Sequence, residues 1–144
     1  MSFFLGRGES VIREQPNVVY HSGYSRIGSI MWGKLILTSK RFLFLEQKQV
    51  ESGGFLGFGK KTETQTAGVR INLPIESVVG ALVETRTRKK GTLNTPPSLF
   101  SKEQYQLLVV SLEAENGMEN PAFEVYNAQD WATAIQRAVG GEAV

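Results

Sequence analysis

The sequence predicts a mainly β protein, a seven-stranded antiparallel sandwich or barrel capped by one C-terminal α-helix. Three observations carry this expectation. Fifteen glycines and an abundance of Val, Ile, Phe and Thr favour strands joined by turns. Short apolar runs recur between polar or glycine-bearing breaks. Only the stretch from Asn127 onward changes to a helical period.

The first strand is read from Val18 to Ser22, and the loop from Gly23 to Ser29 leads to a second, Trp32 to Thr38. Ser39 and Lys40 interrupt the chain for two residues before Arg41 to Leu45, so these strands form a hairpin. A Gly- and Thr-rich connection is expected over 51–68. Val69 to Leu73 resumes a strand that stops at Pro74, and Ile75 to Thr87 is β-prone with a bend near Gly80. Gly91, Pro96 and Pro97 mark about 88–103 as a second long loop. Tyr105 to Leu112 is the clearest apolar run, and Ala122 to Tyr126 makes the last strand after a polar turn.

Asn127 stands where a side-chain cap belongs, and Asp130 in the first helical turn suits the positive end of a helix. Trp131, Ile135, Ala138 and Val139 share one helical face, and Gly140-Gly141 ends it. A helix carrying a tryptophan on its apolar face needs a core to enter. The expected place is the open end of a bent sheet, with Trp131 and Ile135 buried.

Composition narrows the function. The 144 residues suit one domain, 1–144, with a core of about 8–140. There is no cysteine, which removes disulfide scaffolds, thiolate zinc sites and thiol nucleophiles. The single histidine, His21, would have to serve any Ser-His-acid triad, and its position suits an ordinary strand-end residue better. Glu76 and Glu84 show no spacing that demands an acid–base pair. No apolar run approaches the ~18 residues that cross a bilayer. The first residues, Met1 to Arg7, lack the pattern of a signal peptide. The expectation is a non-catalytic cytoplasmic protein, with no metal and no cofactor, able to sit on the inner face of a membrane.

Gly54 to Lys61 nearly fits the phosphate-loop pattern, but Lys61 stands where a magnesium-binding hydroxyl belongs and Thr62 to Gly68 is a poor helix. The same loop reads better as a membrane finger or partner contact. Phe55, Leu56 and Phe58 lie between glycines with Lys60 and Lys61 beside them, so apolar tips could enter lipid while cations meet anionic headgroups. Folding back as a small satellite core, or an oligomer contact, is the alternative. Net charge is only +2, so placement matters more than total. In an up-and-down meander, the connections after strands one, three and five share one end. They carry Arg26, then Lys60 and Lys61, then Arg86, Arg88, Lys89 and Lys90, while Glu113, Glu115 and Glu119 fall at the other end. The aromatics look like core and are not interleaved with these cations, which argues against nucleic acid.

The helix-closed bent sheet is the architecture of the pleckstrin-homology (PH) superfold, and particular residues carry a likeness to it. Gly8-Glu9-Ser10-Val11-Ile12 resembles the opening of GRAM domains, a PH-fold family. Gly33-Lys34-Leu35-Ile36-Leu37-Thr38-Ser39-Lys40-Arg41-Phe42-Leu43-Phe44 resembles that family's central hairpin, and Ile71 to Val78 resembles a later strand. Glu9, Gln15, Val18, Tyr20 and Gly23 loosely echo the GLUE domain, a GRAM-like variant in an ESCRT-II subunit. The likeness covers roughly 8–80.

The resemblance implies a non-catalytic module. Such domains commonly bind phosphoinositides or other anionic lipids, and some bind proteins such as ubiquitin instead. The residues expected to meet lipid are Arg26, Lys60, Lys61, Arg86, Arg88, Lys89 and Lys90. The alternative is a protein-interaction module that takes ubiquitin, a peptide or a second copy of itself through the Phe55-Leu56-Phe58 loop or a sheet edge.

Overall fold

The computed structural model describes residues 5–52, 61–90, 101–115 and 117–140, with backbone alone described at 49–52, 61–63, 88–90 and 101–104. The chain runs through β1 (Val11–Ser22), β2 (Met31–Thr38), β3 (Arg41–Ser52), β4 (Lys61–Pro74), a 3-10 turn (Ile75–Ser77), β5 (Val78–Lys90), β6 (Ser101–Ala114), β7 (Gly117–Glu119), β8 (Ala122–Glu124) and α1 (Ala128–Val139). Strand pairing is antiparallel in the order β4-β3-β2-β1-β8-β6-β5, with β7 beside β6. The mainly β fold with a closing helix is as the sequence predicts.

β1 joins the two halves of the sheet, pairing with β2 on one side and β8 on the other. Its register slips between Gln15 and Val18, where Pro16 lacks an N–H and Asn17 takes a left-handed φ of 59°. Asparagine tolerates that conformation better than most residues, so Pro-Asn produces a bulge within a continuous strand. This bulge is why β1 begins seven residues earlier than the alternation from Val18 suggests.

Two expected loops are shorter than predicted. β3 continues to Ser52 and β4 begins at Lys61, so much of 51–68 is strand. Likewise β5 reaches Lys90 and β6 starts at Ser101, which turns both ends of 88–103 into ladder.

The core lies between the bent sheet and α1. Phe123 of β8 meets three rings, Tyr20, Phe42 and Phe44, at centroid distances of 5.8, 6.0 and 5.3 Å. Trp131 and Ile135 are fully buried, as expected for a helix that plugs the sheet. The indole Nε1 donates to Gln15 Oε1 at 3.0 Å, so the one polar atom of the ring is satisfied inside. Gln136 Nε2 donates to the Ala81 carbonyl at 2.6 Å and ties the helix to edge strand β5. The expected side-chain cap is absent. Asn127 precedes α1 in a left-handed conformation, and its backbone carbonyl accepts from Asp130 and Trp131 instead.

Candidate functional site

Two hairpins continue past the body of the sheet. β2 pairs with β3 only as far as Glu46, yet β3 and β4 stay paired to Ser52 and Lys61. β8 pairs with β6 only from Leu107 onward, yet β5 and β6 stay paired to Lys90 and Ser101. Each extension is six residues, roughly 20 Å at the rise of a strand. Each is a two-stranded arm.

The β5–β6 arm concentrates charge. Residues 86–90 and 101–105 hold Arg86, Arg88, Lys89, Lys90 and Lys102 against Glu103 alone, a net +4 where the whole chain carries +2. The remainder of the protein is therefore net negative. Arg86 forms an ion pair with Glu84 at 2.7 Å at the root of the arm, and Arg88, Lys89 and Lys90 lie beyond it. Lys89 and Lys102 are register partners. Like charges placed directly opposite one another on a sheet are unfavourable.

In the β3–β4 arm, Lys61 is the first residue of β4. Lys60, Phe55, Leu56 and Phe58 lie outside the described residues.

The structure corrects the shared basic end. In the observed strand order, β5 is not the next strand of the meander after β4; it lies on the far flank, beside β6. That placement reverses the parity of the connection after it. The connections after β1 and β3 leave from the edge of the sheet where β1 ends, and the β5–β6 connection leaves from the edge where β1 begins.

Arg26 shows the consequence. Its guanidinium reaches Glu115 at 2.6 Å, just past the end of β6, whereas Lys90 meets the start of that strand. The loop that holds Arg26 is pinned there. Gly23 O accepts from Asn120 N at 3.2 Å, and Ser25 N donates to the Glu119 carboxylate. The buried Tyr20 hydroxyl accepts from Tyr24 N at 2.8 Å. Gly23 has φ 104°, and a Cβ there would collide with the Asn120 carbonyl. Arg26 therefore belongs with the acidic turn and not with the β5–β6 arm.

Sequence reasoning missed a second charged cluster. Glu9 is enclosed by Arg41, which donates to it through Nε and Nη2, each at 2.8 Å. The Thr38 hydroxyl and the Gly6 amide also donate to it. Arg41 above all, with the donors from Thr38 and Gly6, holds the Glu9 carboxyl down at about 2 against the cost of its burial. The signal lay in the resemblance itself: Glu9, Thr38 and Arg41 are all motif residues, and they converge. The arrangement is a structural clasp, with the carboxylate fully engaged and closed to a ligand.

A groove of about 210 Å³ opens between β1 and β6 where the short β8 stops, lined by Gln15, Asn17, Tyr105, Glu124 and Tyr126 among others. His21, at the end of β1, stacks on Tyr105 and lies 3.3 Å from Glu124. Among the described residues, no cluster of three or more His, Asp or Glu side chains could hold a metal. None of their helices is long and apolar enough to cross a membrane.

No family model matches the sequence, and no curated protein matches it. A solved structure does: the Vps36 N-terminal PH domain aligns over 96% of this chain and 84% of its own, with a TM-score of 0.50 and 12% identity. At that identity the likeness speaks to architecture alone. The strand order, the helix that fills the open end of the sheet and this structural neighbour agree on one conclusion: the chain has a PH-like fold.

Proposed function

We propose that this protein is a non-catalytic binding module that docks on anionic membrane surfaces through its β5–β6 arm. The observation that carries the reading is the charge of +4 on ten residues of one projecting hairpin, in a protein whose other residues sum to a negative charge. Each Lys or Arg near an anionic leaflet contributes about 1 kcal/mol, so Arg88, Lys89 and Lys90 with Lys102 suffice for measurable residence. Arg favours phosphate through its fork of donors, and Lys acts as a point charge.

The Phe55-Leu56-Phe58 loop, with Lys60 and Lys61, is a separate contact on the other arm. Its apolar contribution persists at high salt because apolar burial is not screened. Arg26 plays a lesser part because Glu115 already engages it.

Vesicle co-sedimentation with Arg88→Ala/Lys89→Ala/Lys90→Ala tests the reading. Loss of the salt-sensitive binding supports it. Binding unchanged by the triple substitution would refute it. Phe55→Ser/Phe58→Ser reads the salt-resistant remainder independently.

A protein-partner reading rests on a different feature. β5 is an edge strand with Val79 and Leu82 each 54% exposed, a place where an extended peptide or a second copy could add a strand. A ubiquitin-like partner belongs to the same class. A discrete oligomer in light scattering, or capture of ubiquitin without lipid, together with indifference to vesicles, would favour it.

A further inference from the structure

A second cleft lies between the start of β1 and the outward flank of α1. Its volume is about 260 Å³, and Ile12, Arg13, Asp130, Thr133, Ala134 and Arg137 line it. Asp130, Thr133, Ala134 and Arg137 stand at i, i+3, i+4 and i+7, so they form one stripe of the helix, facing Ile12 and Arg13. Ile12 and Ala134 give the lining its apolar part, and Arg13, Arg137 and Asp130 give it two positive charges and one negative.

Arg13 is held in place before any ligand arrives. Its guanidinium lies over the Trp131 ring, 5.5 Å from the centroid. That ring is immobile because it is fully buried and bonded to Gln15. The charge of Arg13 is only loosely answered: Asp130 is 4.0 Å away, and its side chain is largely exposed. Arg137 forms no ion pair among the described residues. Two guanidiniums therefore share one concavity with a single carboxylate, that of Asp130. Thr133 takes a 3.4 Å hydrogen bond from Gln129 on its oxygen, which leaves its own hydroxyl proton available to donate.

We infer that this cleft is a seat for a small phosphate-bearing anion, bridged by Arg13 and Arg137 with Thr133 as a neutral donor. Arginine forks match the paired oxygens of a phosphate. The volume falls below the ~300 Å³ at which drug-sized ligand pockets begin, so the occupant is one phosphate group and its immediate ester. That phosphate can come from a lipid headgroup or from a soluble phosphomonoester. The seat is independent of the β5–β6 arm, and each can fail without the other.

The test is a titration of the labelled full chain with glycerol 3-phosphate, following the arginine Nε–Hε and Thr133 amide resonances by NMR. Saturable shifts at Arg13, Thr133 and Arg137 are expected. Arg137→Gln, at an exposed position, should weaken binding by about tenfold, the effect of losing one charge-assisted contact. Asp130→Asn should tighten it, because a competing carboxylate is removed. Arg7→Gln makes the same charge change at an exposed position elsewhere and should leave affinity as it was. Vesicles containing phosphatidic acid, with and without Arg137→Gln, then assign the source. Dependence on Arg137 points to the headgroup, and independence points to the soluble ester. Shifts that never saturate, or that respond to Arg7→Gln as strongly as to Arg137→Gln, would overturn the inference.

Discussion

Glu9 and Arg41 form a two-pronged ion pair across thirty-two residues of sequence, with both bonds at 2.8 Å and the Glu9 side chain only 2% exposed. The pair fastens the segment before β1 to the start of β3. Thr38, at the end of β2, donates to the same carboxylate and also caps the hairpin turn by accepting from Lys40 N and Arg41 N. One cluster thus fixes an edge of the sheet.

Acid should undo it. The folded carboxyl titrates at about 2 and the unfolded one at 4.5. A depressed folded value means that the stabilisation is complete above the unfolded value and fades as pH falls from about 5 towards 2. The contribution is about 3 kcal/mol at neutral pH. Glu9→Gln should lower the unfolding free energy from urea titration at pH 7 by about that amount and flatten the stability profile between pH 5 and pH 2. A variant whose acid profile matches the parent would show that the pair contributes nothing net.

Gly33 should not tolerate a side chain. It faces Glu46 across the β2–β3 ladder, and a Cβ would collide with the Leu45 carbonyl and the Phe44 ring. Gly33→Ala is expected to cost about 1–3 kcal/mol by overpacking. Gly28→Ala, where a Cβ would meet nothing within 4 Å, should change thermal stability by less than ~0.5 kcal/mol. Equal effects at the two positions would contradict this packing.

Removing the helix anchor should be costlier. Trp131→Ala should destabilise by about 3–5 kcal/mol, the usual range for a deleted buried aromatic. Gln15→Ala keeps the ring but strips its acceptor, and should cost about 1–3 kcal/mol for the stranded indole N–H. Chemical denaturation reads both, and a Gln15 variant as stable as the parent would show that the bond is dispensable.

Much of this fold was legible, and the failures have physical causes. The β2–β3 hairpin and α1 announce themselves because their apolar residues follow the period of the element that buries them. The arms do not. Residues 47–52 and 61–66 are mostly polar on both faces, and a ribbon paired only with itself has no face to bury, so its alternation carries no signal. Pro16 and Asn17 hid the first half of β1 because a bulge looks like a break. The charged residues of the β5–β6 arm were legible as a cluster. Its separation from Arg26 was not, because it depends on β5 pairing with β6 on the far flank, a long-range choice that local pattern does not encode.

Binding of the unaltered protein to vesicles, across a salt series, tests the central claim most directly. Neutral vesicles, anionic vesicles and vesicles with phosphoinositide are compared at low and high ionic strength. The protein should sediment with anionic but not neutral vesicles, and binding should fall steeply as salt screens the β5–β6 arm. A protein that ignores anionic vesicles even at low salt would contradict the account and leave a protein partner as the ligand.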